Sequence, residues 1–334
     1  IGYLIKVRPD LEDIVPEDVE EYVQVSVGEN GLYSDEDLEK VKDVDAFIIG
    51  MEPVNEQILS AATNVKIAQR LGVGYETFDL KATAERQIPA CNIEGVNKEA
   101  VAEHNMALML ALSKKLPQAS ALTESADWPA ARTLSDGAFE LKGLTLGIVG
   151  FGDTGSSLAK RAQPFEMDII YSEIRQVNEG VASQLGAKRV SHEELFKTSD
   201  IVCICTNLND TSRNLVNGEA LALMNSRTTL ICCARGGILD EAAVASALKS
   251  GQILQAGIDV FETEPIEPDN PLIGIDNCIL TSHVAGVTKP TSARIWEWAH
   301  ENVRAVVVKG ERCLLYTSDA ADEGLGVDLG GRRI

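Results

Sequence analysis

Residues 144–173 read LTLGIVGFGDTGSSLAKRAQPFEMDIIYSE. An apolar run at 145–149 leads into Gly150-Phe151-Gly152-Asp153-Thr154-Gly155, a G-x-G-x-x-G turn. A helical pattern follows until Pro164, whose ring and missing N–H stop it. A second apolar run, 168–171, ends at the acidic Glu173. Strand, glycine turn, helix, strand and acid, in that order, are the parts of a dinucleotide-binding unit.

Each part has a physical task. Gly150 allows the tight turn, Gly152 lets a pyrophosphate approach the backbone, and Gly155 lets the helix pack closely on the strand. The helix N-terminus offers unpaired N–H groups to the phosphates. Glu173 can accept both ribose hydroxyls, and its charge favours NAD over NADP by repelling a 2′-phosphate, although Arg175 could accommodate one.

Composition narrows the field further. A chain of 334 residues is long for one core, so two domains are expected. It is 45% hydrophobic and 24% charged, as globular domains are, and its net charge of −21 argues against nucleic acid and anionic membranes as partners. No apolar run reaches the length of a membrane span. Seven cysteines include no C-x-x-C pair. Cys203, Cys205, Cys232 and Cys233 lie in apolar runs and read as buried strand residues, with neither metal nor disulfide expected there and a cytoplasmic setting implied.

Upstream, the short apolar runs 1–7, 22–27, 46–49, 65–69 and 89–92 read as parallel strands, with helices at 35–42, 54–62 and 79–86. This is a separate α/β domain without G-x-G-x-x-G. Its most informative segment, Arg70-Leu71-Gly72-Val73-Gly74-Tyr75, follows a strand, and its glycines let backbone N–H groups converge on a small anion such as a carboxylate. The apolar stretch 98–116 predicts a long buried helix ended by Pro117. Residues 118–142 read as an irregular arm that packs on another subunit.

Downstream of the glycine unit, strands are expected at 201–205, 229–233, 254–258 and 278–281, with helices at 191–197, 218–224, 240–249 and 289–308. His192 follows Ser191 in a capping-box pattern and reads as a surface helix residue; Trp296, Trp298 and His300 read as packing residues. Chemistry in such sheets gathers beyond the carboxyl ends of the strands. Three segments meet that condition: 234–237 with Arg235, 259–265 with Asp259 and Glu264, and 282–286 with His283. Arg235 can hold a carboxylate through two parallel hydrogen bonds, His283 can move a proton, and Glu264 can stabilise the charged imidazole. Beside a dinucleotide, that set suits hydride transfer with acid catalysis on a keto acid.

At these residues the chain resembles the D-isomer-specific 2-hydroxyacid dehydrogenases, of the phosphoglycerate dehydrogenase and hydroxypyruvate/glyoxylate reductase type. The resemblance covers residues 1 to about 312 and rests on Glu52-Pro53, LGVGY at 71–75, AVAEH at 100–104, the glycine fingerprint, ARGGILDE at 234–241, DVFETEP at 259–265 and HVAG at 283–286. It implies two Rossmann-like domains: a dinucleotide-binding domain, 98–286, inserted into a flavodoxin-like substrate domain made of 1–97 and 287–312. The substrate carboxylate would sit on Arg235 and the Val73 and Gly74 amides, His283 assisted by Glu264 would protonate the carbonyl oxygen, and Asp259 would hold the nicotinamide carboxamide. The expected cofactor positions are Gly150, Gly152, Asp153, Thr154, Gly155, Glu173, Thr206, Ala234 and Asp259, and a homodimer is implied. The implied activity is NAD-dependent transfer of hydride to or from C2 of a small 2-keto or 2-hydroxy acid. An NAD(H)-sensing, corepressor-like binding protein of the same fold is the alternative.

Several positions depart from the family pattern. Asp153-Thr154 replaces an uncharged or basic residue followed by Ile, and a carboxylate beside a pyrophosphate costs affinity unless it points away. Cys205-Thr206-Asn207-Leu208-Asn209 stands where His-Leu-Pro-Leu-Thr is usual, Cys232 where Asn is common, and Ser282 where Pro is common. The tail is of another kind. CLLYTSDAADE at 313–323 and GVDLGGRRI at 326–334 resemble translated sequencing-library adapters in their proper order, so 313–334 is expected to be non-native.

Overall fold

The computed structural model describes residues 2–5, 21–28, 31–50, 52–74 and 77–311. Tyr75 and the 313–334 segment lie outside the described residues. The described residues up to Val96 together with those from Thr288 onward form one compact unit, and those from Asn97 to Val287 form the other.

In the first unit, β1 (Gly2–Ile5), β2 (Glu21–Val23), β3 (Ala46–Ile49), β4 (Ile67–Arg70) and β5 (Ala90–Cys91) make one parallel sheet in the order β2-β1-β3-β4-β5. That order is the flavodoxin-like one. Helices α1 (Asp35–Lys40), α2 (Glu56–Ala61) and α3 (Leu80–Glu85) belong to it, each started by a side-chain cap from Ser34, Asn55 or Asp79. Both faces of β3 are buried. Phe47 and Ile49 pack with Ile58 and Leu59 of α2, whereas Ala46 and Ile48 pack with Ile67, Trp296 and Val303. Trp296 and Val303 come from the last described helix, α12 (Lys289–Val307), which returns to cover that second face. A buried polar pair fixes it there: Asn302 Nδ2 donates to Gln69 Oε1 at 2.9 Å, and Gln69 donates to the Arg70 carbonyl.

The second unit opens with α4 (Lys98–Ser113), α5 (Leu116–Glu124) and α6 (Trp128–Thr133), followed by a 3-10 turn at Leu134–Gly137. The 118–142 stretch is therefore largely helical, contrary to the irregular arm expected. Pro117 and Pro129 each sit in a helical first turn, where a missing N–H costs nothing, so they start helices there. The break after α4 falls at Lys115, in the left-handed region with φ +51°.

Its sheet is also fully parallel. β6 (Thr145–Val149), β7 (Asp168–Ser172), β8 (Lys188–Arg189), β9 (Ile201–Ile204), β10 (Thr229–Cys232), β11 (Gln255–Ile258) and β12 (Cys278–Leu280) run in the order β12-β11-β10-β9-β6-β7-β8. The chain progresses outward from β6 through β7 to β8, then restarts at β9 on the other side. The switch point lies between β6 and β9. Helix α7 (Asp153–Ala162) packs with α4 on the face carrying Ile148, Cys203 and Ile231. The opposite face carries Val202, Leu230 and Ile258 under α9 (His192–Thr198), α10 (Gly218–Leu223) and α11 (Glu241–Ser250). Helix α8 (Glu179–Gln184), capped by Asn178, joins β7 to β8. Alternation of these strand side chains between two apolar layers explains why the strands read as continuous hydrophobic runs.

Candidate active site

At the switch point the chain turns at Gly150, where φ is +92°, a conformation that favours glycine. A Cβ there would stand 2.8 Å from the Cys205 carbonyl carbon and oxygen beyond β9. At Gly155 a Cβ would lie 2.1 Å from the Gly150 carbonyl oxygen, so only glycine lets α7 begin this close to β6. Gly152 is different, because a Cβ there would meet nothing within 4 Å. The space beside it is open, and no side chain caps the first turn of α7. Uncapped amides at the positive end of a helix, next to an open glycine, fit a pyrophosphate.

Glu173, just beyond β7, is held in place by backbone. The Phe151 amide donates to its Oε2 and the Arg175 amide to its Oε1, both at 3.0 Å. Each carboxylate oxygen retains acceptor capacity for a ribose hydroxyl. Thr154 and Thr206 are half-buried at the same edge, and Gly152 and Asp153 are exposed. The unusual Asp153 is the first residue of α7. Lys98 Nζ, from the first residue of α4, lies 3.4 Å from its Oδ1 and opposes its charge. The altered segment after β9 folds into a turn in which Asn209 Oδ1 accepts from the Thr211 and Ser212 amides and Ser212 Oγ donates to the Asn207 carbonyl.

The loops after β10, β11 and β12 interlock. A Cβ at Gly236 would stand 1.7 Å from the Phe261 carbonyl oxygen, so the Arg235 loop and the 259–265 loop touch backbone to backbone. Arg235 is half-buried, and its guanidinium donates to the Ala234 carbonyl at 2.8 Å. Glu241, at the start of α11, accepts from the Glu262 amide and from Asn270 Nδ2. From this braced loop Glu264 uses Oε1 to accept the Phe261 amide and Oε2 to meet His283 Nδ1 at 2.6 Å. The His283 side chain is 44% exposed and that of Glu264 34%. With Nδ1 committed to the carboxylate, Nε2 is the nitrogen left to exchange a proton with a substrate. His283 also holds a left-handed backbone, φ +54°, which the hydrogen bond donated by its amide to the Asp259 carbonyl oxygen at 2.7 Å helps to fix.

Asp259, which the resemblance assigns to the nicotinamide carboxamide, stands just beyond β11. It is 0% exposed, and its carboxylate accepts from Thr281 Oγ1 at 2.5 Å and from the Val284 and Ala285 amides at 3.0 and 2.9 Å. Its oxygens are engaged with the loop that carries His283. Residue spacing hides this arrangement, because Thr281 lies at a strand end and the other donors are backbone. A further neighbour is the last residue of the AVAEH motif, to which the sequence reading gave no role: His104 of α4 lies 3.1 Å from Thr281 Oγ1 through Nε2.

In the first unit, the glycine turn after β4 is organised by two side chains. Arg70 Nε donates to the Gly74 carbonyl at 2.8 Å, and Asn92 Nδ2 donates to the Val73 carbonyl at 2.7 Å. Both carbonyls point inward to these donors, and among the described residues the Val73 and Gly74 amides have no acceptor. Neither Arg70 nor Asn92 was singled out from the sequence as an anchor. Among the described residues no group of three or more His, Cys, Asp or Glu side chains could hold a metal ion, and no helix is long and apolar enough to cross a membrane.

A sequence profile of the D-isomer specific 2-hydroxyacid dehydrogenase NAD binding domain matches residues 106–285. The chain is 35% identical over 295 residues to D-3-phosphoglycerate dehydrogenase of Methanocaldococcus jannaschii, covering 88% of this chain and 55% of that one. It is 34% identical over 271 residues to glyoxylate reductase of Korarchaeum cryptofilum, covering 80% and 81%. Among solved structures, the holo form of Rhodotorula graminis D-mandelate dehydrogenase superposes with a TM-score of 0.84 at 24% identity, covering 94% of this chain and 96% of that chain. The chain belongs to the D-isomer-specific 2-hydroxyacid dehydrogenase family, and its second unit carries the family's NAD-binding domain. It spans about half the length of its phosphoglycerate dehydrogenase relatives.

Proposed function

We propose that the protein is an NAD-dependent oxidoreductase that interconverts small 2-keto and 2-hydroxy acids. The observation that carries this reading is the His283–Glu264 pair, 2.6 Å apart, exposed on loops at the same sheet edge as the glycine turn. NADH, when bound, supplies the hydride that reduces C2. His283 gives the proton on Nε2 to the carbonyl oxygen, and Glu264 stabilises the imidazolium in the reverse direction, when the hydroxyl proton returns. Arg235 and the Val73 and Gly74 amides are assigned to the substrate carboxylate, the first by charge and the second by backbone hydrogen bonds. Glu173 and the amides of α7 hold the ribose and pyrophosphate.

A cytoplasmic homodimer completes the reading. Leu116 of α5 and Trp128 of α6 are 59% and 64% exposed, two large apolar side chains that a second copy could bury. A monomeric mass in solution at micromolar concentration would remove the dimer from this proposal.

The activity is tested by following NADH and NADPH oxidation with glyoxylate, hydroxypyruvate, pyruvate and phosphohydroxypyruvate. Turnover with at least one keto acid is expected, faster with NADH. Measurable NADH binding without turnover on any of the four would favour a cofactor-sensing protein instead. For roles, His283→Ala should lower turnover by about 10²- to 10⁴-fold while NADH binding stays within a few-fold. Undiminished turnover would take His283 out of the mechanism.

A further inference from the structure

Helix α4 is apolar along most of its length, yet it places His104 toward the end of β12. The approach is deliberate in its packing. Leu108, one turn after His104 on the same helical face, would lie 3.1 Å from a Cβ at Gly257 of β11, so the glycine admits the helix at that depth. Near the start of α4, Asn97 Nδ2 would lie 2.6 Å from a Cβ at Gly286, and this second glycine seats the His283 loop against the helix.

The hydrogen-bond directions along this contact are determined by proton count. Thr281 has one hydroxyl proton, and at 2.5 Å it is donated to Asp259 Oδ1. The Thr281 oxygen can therefore only accept from His104, 3.1 Å away, so Nε2 of His104 carries a hydrogen. Asp259 in turn accepts the Val284 and Ala285 amides through its side chain, and its carbonyl oxygen accepts the His283 amide. Hydrogen bonds thus converge on Asp259, from α4 through the Thr281 hydroxyl on one side and from the three consecutive amides at 283–285 on the other. One of those residues, His283, sits in a left-handed conformation that its surroundings must maintain.

We propose that His104 is a positioning residue for the reaction: by orienting the Thr281 hydroxyl onto the buried Asp259 carboxylate, it holds the loop that presents His283. The proposal rests on the acid–base role assigned to His283 above, but the arrangement of the loop can be read without any turnover. An imidazole N–H behind a threonine hydroxyl keeps that hydroxyl from rotating away. Replacing it with an apolar ring leaves Asp259 with one fewer oriented donor in a site shielded from water.

The experiment uses the full chain with His104→Phe, His104→Gln, Thr281→Val and the His104→Phe/Thr281→Val pair. Hydrogen exchange of the Val284 and Ala285 amides is followed by mass spectrometry, and kcat is measured with whichever keto acid the wild type reduces. His104→Phe should speed exchange of those amides roughly tenfold or more and lower kcat by about 10- to 100-fold. His104→Gln, which keeps an N–H at a similar reach, should restore most of both. The paired variant should be no worse than Thr281→Val alone, because both substitutions break one chain of bonds. Unchanged exchange in His104→Phe, or a Gln variant no better than Phe, overturns the proposal. If His104→Phe does not fold, unchanged exchange in Thr281→Val overturns it alone. A wild type that reduces no keto acid refutes the proposed activity, while the exchange result still decides the role of His104.

Discussion

The glycine turn after β4 and the glycine turn after β6 are built in different ways. After β6, the turn runs straight into α7 and is packed backbone against backbone, with no room for a Cβ at Gly150 or Gly155. After β4, a Cβ at Gly72 would meet nothing within 4 Å; the turn is shaped instead by Arg70 and Asn92, which hold the Gly74 and Val73 carbonyls. The difference matches the anions the two turns are read to bind. A diphosphate is spread over several amides and a helix end, so the close approach of helix and strand matters most. A carboxylate needs two aimed amides, and side chains behind the turn are enough to aim them.

Steric replacement should separate the two turns most sharply. Gly155→Val places atoms where the Gly150 carbonyl oxygen already lies, and NADH binding, followed by fluorescence titration, is expected to fall by at least about 100-fold. Gly72→Ala meets only the strain of φ +156°, so urea unfolding should show a loss of about 1–3 kcal/mol with NADH binding retained. Equal damage to NADH binding from both would break the contrast.

Removing a side-chain anchor tests the second turn from behind. Asn92→Leu frees the Val73 carbonyl and should raise KM for the keto acid by roughly tenfold, with the NADH dissociation constant unmoved. A parallel rise in both constants would show that the turn serves more than the substrate. On the dinucleotide side the corresponding electrostatic test is smaller. Lys98→Ala leaves the Asp153 charge unopposed and should weaken NADH binding by a few-fold, with recovery in Lys98→Ala/Asp153→Asn. Failure of Asp153→Asn to recover affinity would mean that the carboxylate does not act on the phosphates.

The smallest effect concerns the acidic rim of the dinucleotide site. Burial lowers the His192 pKa from 6.5, and the nearby Glu173 charge only partly opposes this. The unfolded chain therefore takes up this proton before the folded one does. Stability should fall as pH drops from about 6.5 toward the lower folded value, and His192→Gln should flatten that fall in urea midpoints measured between pH 7.5 and 5.5. An unchanged slope would assign the fall to other groups. Burial also pushes the thiols of Cys205, Cys232 and Cys278 up to about 12, so they should resist alkylation at pH 8 until the protein unfolds.

What could be read in the sequence follows how far apart the interacting residues are. The β6–α7 turn is contiguous, so its glycines, helix start and acid appear in one line of text. The reacting edge is split over three segments, yet each follows an apolar run, and the rule that chemistry collects at strand ends reaches Arg235, Glu264 and His283. Interactions between distant residues were invisible. His104 and Thr281 stand 177 positions apart, and the donors that occupy Asp259 are mostly backbone amides, which carry no residue signature. The helices at 116–133 were missed for a local reason: proline marks a helix start as readily as a stop, and Asp127, whose side chain caps the Ala130 amide, was the clue that should have separated the two.

The return of α12 to the first unit has a consequence for synthesis. The second unit is an unbroken stretch of chain and can close as soon as it leaves the ribosome. The first cannot, because the face of its sheet formed by Ala46, Ile48 and Ile67 waits for Trp296 and Val303, translated some 230 residues later. At elongation rates of about 5–20 residues per second, that apolar face stays uncovered for roughly ten seconds or more. During that interval the nascent first unit is the part of this protein most in need of a chaperone.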